Sequence, residues 1–253
     1  MTLIVSAVTK EIAAVASDGL EFRHTQDGSK YVETVDRQKI FPIPERSALL
    51  AVHGQNRLTT PGQGLDSQRL VGEVFNDLYS ELVSIPTIEG IANRLLDVLT
   101  PDVDHTLSLL KSEWNHHSPL GIVVIGFDVA GGRTRGFEAY WPSLNDKNNR
   151  KGVIKHVLDK DEVRVLFSGT GDKYARSVID QLKFKYDQNK LKRASEQKVQ
   201  TYVCGVFQDA FKRQKHTDLE FGGQCQVVTV VQTGFKSRVF ALGNDVNHSL
   251  KRS

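Results

Sequence analysis

The sequence predicts an α+β protein in which antiparallel sheets carry helices on their outer faces. Two observations carry the prediction. Strand-like and helix-like runs are segregated in the order strands, helices, strands, helices, strands, and do not alternate as βαβ units would. The strand-like runs also come in close pairs separated by turn residues, the pattern of hairpins.

The elements follow in chain order. Thr2–Val8 is β-branched and apolar, and Ile12–Ser17 is a second apolar run ending at the turn signal Asp18-Gly19, so the two form a hairpin. Residues 22–30 are polar and read as a loop. Tyr31–Val35, Lys39–Ile43 and Ala48–Val52 are strands, and Pro42 and Pro44 make the middle one short or place it at an edge. Leu70, Val71, Val74, Phe75, Leu78 and Leu82 recur at helical period, with Asp66 or Ser67 as N-cap. Thr87 caps a second helix with the face Ile88, Ile91, Leu95, Leu96 and Leu99, which Pro101 should end. A third helical piece holds Val103, Leu107, Leu110 and Trp114. Gly121–Phe127 is almost wholly apolar, as a strand covered on both faces would be, and Arg135–Trp141 is its partner across Gly131-Gly132. Residues 143–151 form a polar loop and Val163–Phe167 another strand. Helices over 172–187 and 192–215 follow, the second with Val199, Val203, Val206, Phe207 and Ala210 on one face. Gln226–Thr233 and Ser237–Leu242 close the chain as a hairpin. Residues 1–243 thus read as one domain and 244–253 as a tail.

Composition narrows the function classes. Of 253 residues, 39% are hydrophobic and 25% charged, which is globular and not disordered composition. The net charge of +3 is too small to imply nucleic acid or an anionic membrane as partner. No apolar run is long enough for a transmembrane helix, and the N-terminus lacks the pattern of a secretory signal, so a cytoplasmic location is expected. Two cysteines cannot build a disulfide framework; Cys204 and Cys225 read as structural thiols. His116-His117 is the one adjacent histidine pair, and no H-E-x-x-H or zinc spacing occurs, so neither metal nor cofactor is expected. The basic stretch 183–198 reads as a solvated or intersubunit surface.

The chemistry points to the N-terminus. Met1 precedes the small residue Thr2, so removal of Met1 by aminopeptidase is expected. An N-terminal threonine carries a nucleophilic hydroxyl and its own base on one residue, because an α-amine titrates near 7.7–8.0 and is partly neutral at pH 7. A Met-Thr start is ordinary on its own. Asp18 alone reads as a turn residue, Lys39 as a surface lysine, Gly54 as a strand end and Thr170 as a helix cap.

Together these residues stand in a familiar order. The stretch TLIVSAVTKEIAAVASDG (Thr2–Gly19) resembles the start of mature proteasome β-subunits and their bacterial relatives, which are N-terminal-nucleophile hydrolases. The sixteen-residue step from Thr2 to Asp18 matches the family's threonine-to-aspartate spacing. Arg37-Gln38-Lys39-Ile40-Phe41-Pro42-Ile43 resembles the family strand bearing the catalytic lysine, and Leu49-Leu50-Ala51-Val52-His53-Gly54 the strand ending in the oxyanion-hole glycine. Phe167-Ser168-Gly169-Thr170-Gly171 resembles its glycine-rich strand-to-helix turn, and Asp218, four residues before Gly222-Gly223, its later aspartate. The chain departs from the pattern in three places. The loop between Asp18 and Lys39 is about five residues longer, Phe221 stands where a second serine is usual, and 101–162 exceeds a minimal subunit.

The resemblance implies a four-layer αββα sandwich of two antiparallel sheets flanked by helices. It implies Thr2 as nucleophile, Lys39 as the cation beside it, Asp18 as partner of Lys39 and Gly54 N–H as oxyanion donor, with Thr170 and Asp218 orienting the amine. Arg37, Val52 and Asn56 would line a substrate pocket. The implied activity is a threonine peptidase acting on peptide or unfolded protein, assembled as a homo-oligomeric ring or helix and served by a separate ATP-driven unfoldase. The same resemblance admits two other readings, an inactive assembly subunit or a small-molecule amidohydrolase of the same fold.

Overall fold

The first two apolar runs pair as the sequence predicts. In the computed structural model, which describes residues 2–24, 30–110, 120–130, 134–141, 152–156, 163–214 and 221–241, β1 (Ile4–Val8) and β2 (Ile12–Asp18) form an antiparallel hairpin in which Ile4 faces Ser17. Then come β3 (Glu21–His24), β4 (Lys30–Thr34), β5 (Ile40–Ile43), β6 (Ala48–Gly54), β7 (Arg57–Leu58) and β8 (Arg69–Leu70). Helices α1 (Val71–Ser84) and α2 (Ile88–Leu110) follow. After them come β9 (Leu120–Phe127), β10 (Thr134–Trp141), β11 (Gly152–His156) and β12 (Arg164–Ser168). Helices α3 (Asp172–Gln181) and α4 (Glu196–Arg213) precede β13 (Gln224–Val231) and β14 (Gly234–Ala241).

These strands build two five-stranded antiparallel sheets, ordered β12-β1-β2-β13-β14 and β11-β10-β9-β6-β5, beside the small pairs β3-β4 and β7-β8. Period-2 alternation divides the apolar residues between layers. Ile4, Val15, Leu49, Ala51, Val123, Ile125 and Val228 interlock between the two sheets. On the outer face of one sheet α1 and α2 bury Val74, Phe75, Ile91, Leu95 and Leu99 against Leu50, Ile122 and Phe137. On the other, α3 and α4 bury Val178, Val199, Val203 and Phe207 against Leu3, Val5, Ala14 and Val227. The fold is therefore an α+β sandwich of antiparallel sheets with helices outside. β9 is buried along its whole length, and β5, with Pro42, is an edge strand, both as expected. No helix among the described residues is long and apolar enough to cross a membrane.

Several boundaries differ from the sequence reading, each for a local reason. The polar stretch 22–30 contains the end of β3 and the start of β4, which pair with each other. The first helix is not capped by Asp66 or Ser67, which lie in a short 3-10 turn; Leu70 N–H instead donates to Glu73 Oε2 at 2.8 Å. Thr87 does act as a cap, accepting from Gly90 N–H at 3.0 Å. Pro101 does not end α2: the apolar stripe continues into the buried Val103 and Leu107, so burial outweighs the one helical hydrogen bond that proline removes. The expected third helical piece is the second half of α2, as far as the helix is described. The helix expected over 172–187 stops at Gln181, and Asp187 Oδ1 accepting from Asn189 N–H starts a 3-10 turn instead. α4 begins at Glu196, where Ser195 Oγ accepts from Lys198 N–H. β11 has no counterpart in the sequence reading. The 143–151 loop, Trp114, the His116-His117 pair and the tail lie outside the described residues.

Candidate active site

The β1–β2 hairpin returns Asp18 to the end of the sheet where Thr2 enters β1. Asp18 is 1% exposed and saturated with donors. Its Oδ1 accepts from Leu3 N–H at 3.2 Å, and its Oδ2 from Leu20 N–H at 3.2 Å and Gly222 N–H at 3.3 Å. Lys39, just before β5, crosses from the second sheet and places Nζ 3.2 Å from Asp18 Oδ1. The same Nζ donates to Leu20 O at 2.7 Å and to Thr2 Oγ1 at 2.9 Å. An ammonium has three donors and no acceptor, and three oxygens surround this one. Burial pushes the Lys39 ammonium below its ordinary 10.5, and Asp18 opposes that shift by charge and hydrogen bond.

Thr2 is 2% exposed with Met1 still attached. The turn after β12 holds its backbone: Gly171 N–H donates to Thr2 O at 3.1 Å, and Thr2 N–H donates to Thr170 Oγ1 at 3.3 Å. Gly169 in that turn has φ +90°, and a Cβ there would stand 2.3 Å from Thr2 O. The position thus demands glycine by conformation and by space. Gly169→Ala is expected to destabilise the fold by at least about 1–2 kcal/mol and to displace Thr2, measured as a lower urea midpoint together with slower modification of Thr2 by an electrophile. Gly54 ends β6 at φ +88°, immediately after His53, whose Nε2 lies 2.9 Å from Glu138 Oε1.

Thr2, Asp18, Lys39 and Thr170 are linked by hydrogen-bond or ion-pair contacts, and Gly54 ends β6. Asp218 lies outside the described residues. Phe221, in place of the second serine, is fully buried among Tyr174, Phe207 and Phe211 and packs the turn from behind. Arg37 pairs with Glu21 and borders a cavity of about 250 Å³ that also touches Asp18, Lys39, Gln224 and Gln226. Val52 does not border it: its side chain is buried in the core under α1 and α2, because alternation along β6 points it away from the neighbouring sheet. Asn56 does not border it either, and its carbonyl accepts from Val71 N–H. A larger concavity of about 910 Å³ runs along the edge strand β12, lined by Arg164, Arg176, Lys183, Asp187 and Glu138 among others; Thr2 does not line it. Cys204 and Cys225 are not joined in a disulfide, and burial holds the Cys225 thiol well above its ordinary range, which keeps it unreactive.

The sequence reading missed the Leu20 carbonyl, Gly169 as a steric necessity, and the His53–Glu138 pair. Only the glycines flanking Thr170 gave any signal. No model of a known protein family matches the chain, and no curated protein matches it.

Proposed function

We propose that this chain is an N-terminal threonine hydrolase of the proteasome-like kind, a peptidase that acts by acyl transfer to Thr2 once Met1 is removed. One observation carries the reading: a buried, Asp18-paired Lys39 donates directly to the hydroxyl of the second residue of the chain. A buried ion pair is a poor way to stabilise a core, since an apolar pair of similar volume does so at no desolvation cost. Its placement against a hydroxyl makes sense as chemistry.

In this mechanism the Thr2 nitrogen becomes an α-amine and takes the proton of Oγ1, directly or through a water, as Oγ1 attacks the substrate carbonyl carbon. The Lys39 cation favours the neutral amine and the developing alkoxide. Thr170 Oγ1, already bonded to that nitrogen, orients it. The Gly54 N–H receives the oxyanion. The amine then protonates the leaving nitrogen, leaving an acyl ester on Thr2, and a water takes the place of the leaving group to release the acid. Homo-oligomeric assembly and a separate unfoldase belong to the same proposal.

The test is turnover of fluorogenic peptide amides against small primary amides across pH. Peptide cleavage with no turnover of small amides supports the peptidase; the reverse supports the amidohydrolase. Since burial lowers the Lys39 pKa, the alkaline fall in kcat/KM is expected below pH 10.5. Unfolding through Lys39 does not produce that fall. Between its folded pKa and 10.5 the unfolded chain binds more protons at this residue, so the Lys39 contribution to stability rises with pH. An alkaline limb at or above 10.5, measured with the fold intact by circular dichroism, contradicts a Lys39 pKa lowered by burial; activity that persists unchanged in a folded Lys39→Met variant contradicts a charged Lys39 as the working form.

A further inference from the structure

The catalytic proposal gives His53 and Glu138 no role, and packing does not explain them. His53 continues the row Leu49, Ala51 that faces the space between the sheets, and it is 7% exposed. An apolar side chain would extend that row without burying an imidazole beside a carboxylate. The imidazole lies across the neighbouring strand: a Cβ at Gly121, directly opposite His53 in β9, would stand 2.1 Å from Nε2. Only glycine at 121 lets the ring pass over β9 and reach Glu138 on β10. At its other end, His53 Cβ would lie 3.4 Å from a Cβ at Gly169, the residue packed against Thr2 O. One side chain therefore lies beside the turn that holds Thr2, belongs to the residue preceding Gly54, and is tied at its tip to a third strand.

We infer that His53, held by Glu138 across Gly121, is a positioning residue that sets the spacing between the Gly54 N–H and the Thr2 nucleophile. The inference rests on the hydrolase reading and deepens it. Thr2 and its turn belong to one sheet, Gly54 to the other, and the oxyanion donor works only if the two sheets keep their register to within a few tenths of an ångström. The His53 ring is a rigid spacer between them, and Glu138 fixes its orientation.

The experiment is peptide-amide kinetics and electrophile labelling of Thr2 in the full chain, for the wild type and for His53→Ala, His53→Asn, Glu138→Gln and Gly121→Ala, each checked for folding by circular dichroism. Loss of position without loss of binding is expected to lower kcat by about 10- to 100-fold with KM within about two-fold. Gly121→Ala, which keeps the imidazole but displaces it, should resemble His53→Ala. Glu138→Gln, which retains a hydrogen-bonding tip, should lose less. Folded His53→Asn and Glu138→Gln proteins with wild-type kcat overturn the inference, as does a loss carried by KM alone. A wild-type protein that neither labels nor turns over is a different failure: it removes the hydrolase reading, and this inference with it.

Discussion

Thr2→Ala is expected to abolish turnover, by about 10^4-fold or more, while leaving the fold intact. The substitution removes Oγ1, the atom that Lys39 Nζ approaches at 2.9 Å, and with it the only proposed electron pair for attack. The Thr2 backbone keeps its bonds to Gly171 N–H and Thr170 Oγ1, so the strand entry is undisturbed. Thr2→Ser keeps hydroxyl and amine and should retain measurable activity. The comparison is made on peptide-amide turnover with the melting temperature as control. A Thr2→Ala protein with more than about a thousandth of wild-type turnover would place the nucleophile elsewhere.

The second large effect concerns the pair beneath Thr2. Asp18→Asn is expected to cost about 3–5 kcal/mol, because it leaves the Lys39 ammonium buried and without its counter-charge. Lys39→Met should cost less in stability, since three backbone N–H groups still satisfy the Asp18 carboxylate. It should cost more in chemistry, about 100- to 1,000-fold in kcat, the usual range for one electrostatic donor aimed at developing charge. Urea midpoints and kcat for the two single variants therefore rank in opposite orders. The Asp18→Asn/Lys39→Met double variant should be more stable than Asp18→Asn alone, because the orphaned cation is gone. If both single variants lose stability and activity in parallel, Lys39 is a structural cation only.

The parts of the molecule visible in the sequence are those in which local pattern and tertiary environment agree. The β1–β2 hairpin shows because its apolar runs and the Asp18-Gly19 turn are adjacent in the chain, and so Asp18 beside Thr2 follows from counting. Lys39 is recognisable because it leads the apolar strand Ile40–Ile43. Pro101 misleads because a missing N–H is visible in the sequence, while the burial of Val103 and Leu107 that outweighs it is not. Among the described residues β11 pairs with β10 alone, and a five-residue edge strand gains its identity from that partner. His53, Gly121 and Glu138 lie on three strands that become neighbours only when the sheet forms, so no spacing in the chain announces them. The resemblance implies a pocket position for Val52, and the alternation of β6 turns it into the core instead.

The central claim depends on whether the chain uses Thr2 as its first residue. The most direct measurement is the intact mass of the native protein before and after treatment with a threonine-directed electrophile. The account predicts a starting mass equal to residues 2–253, one adduct after treatment, and that adduct located on Thr2 by peptide mapping. A native protein that retains Met1 and takes up no label contradicts it.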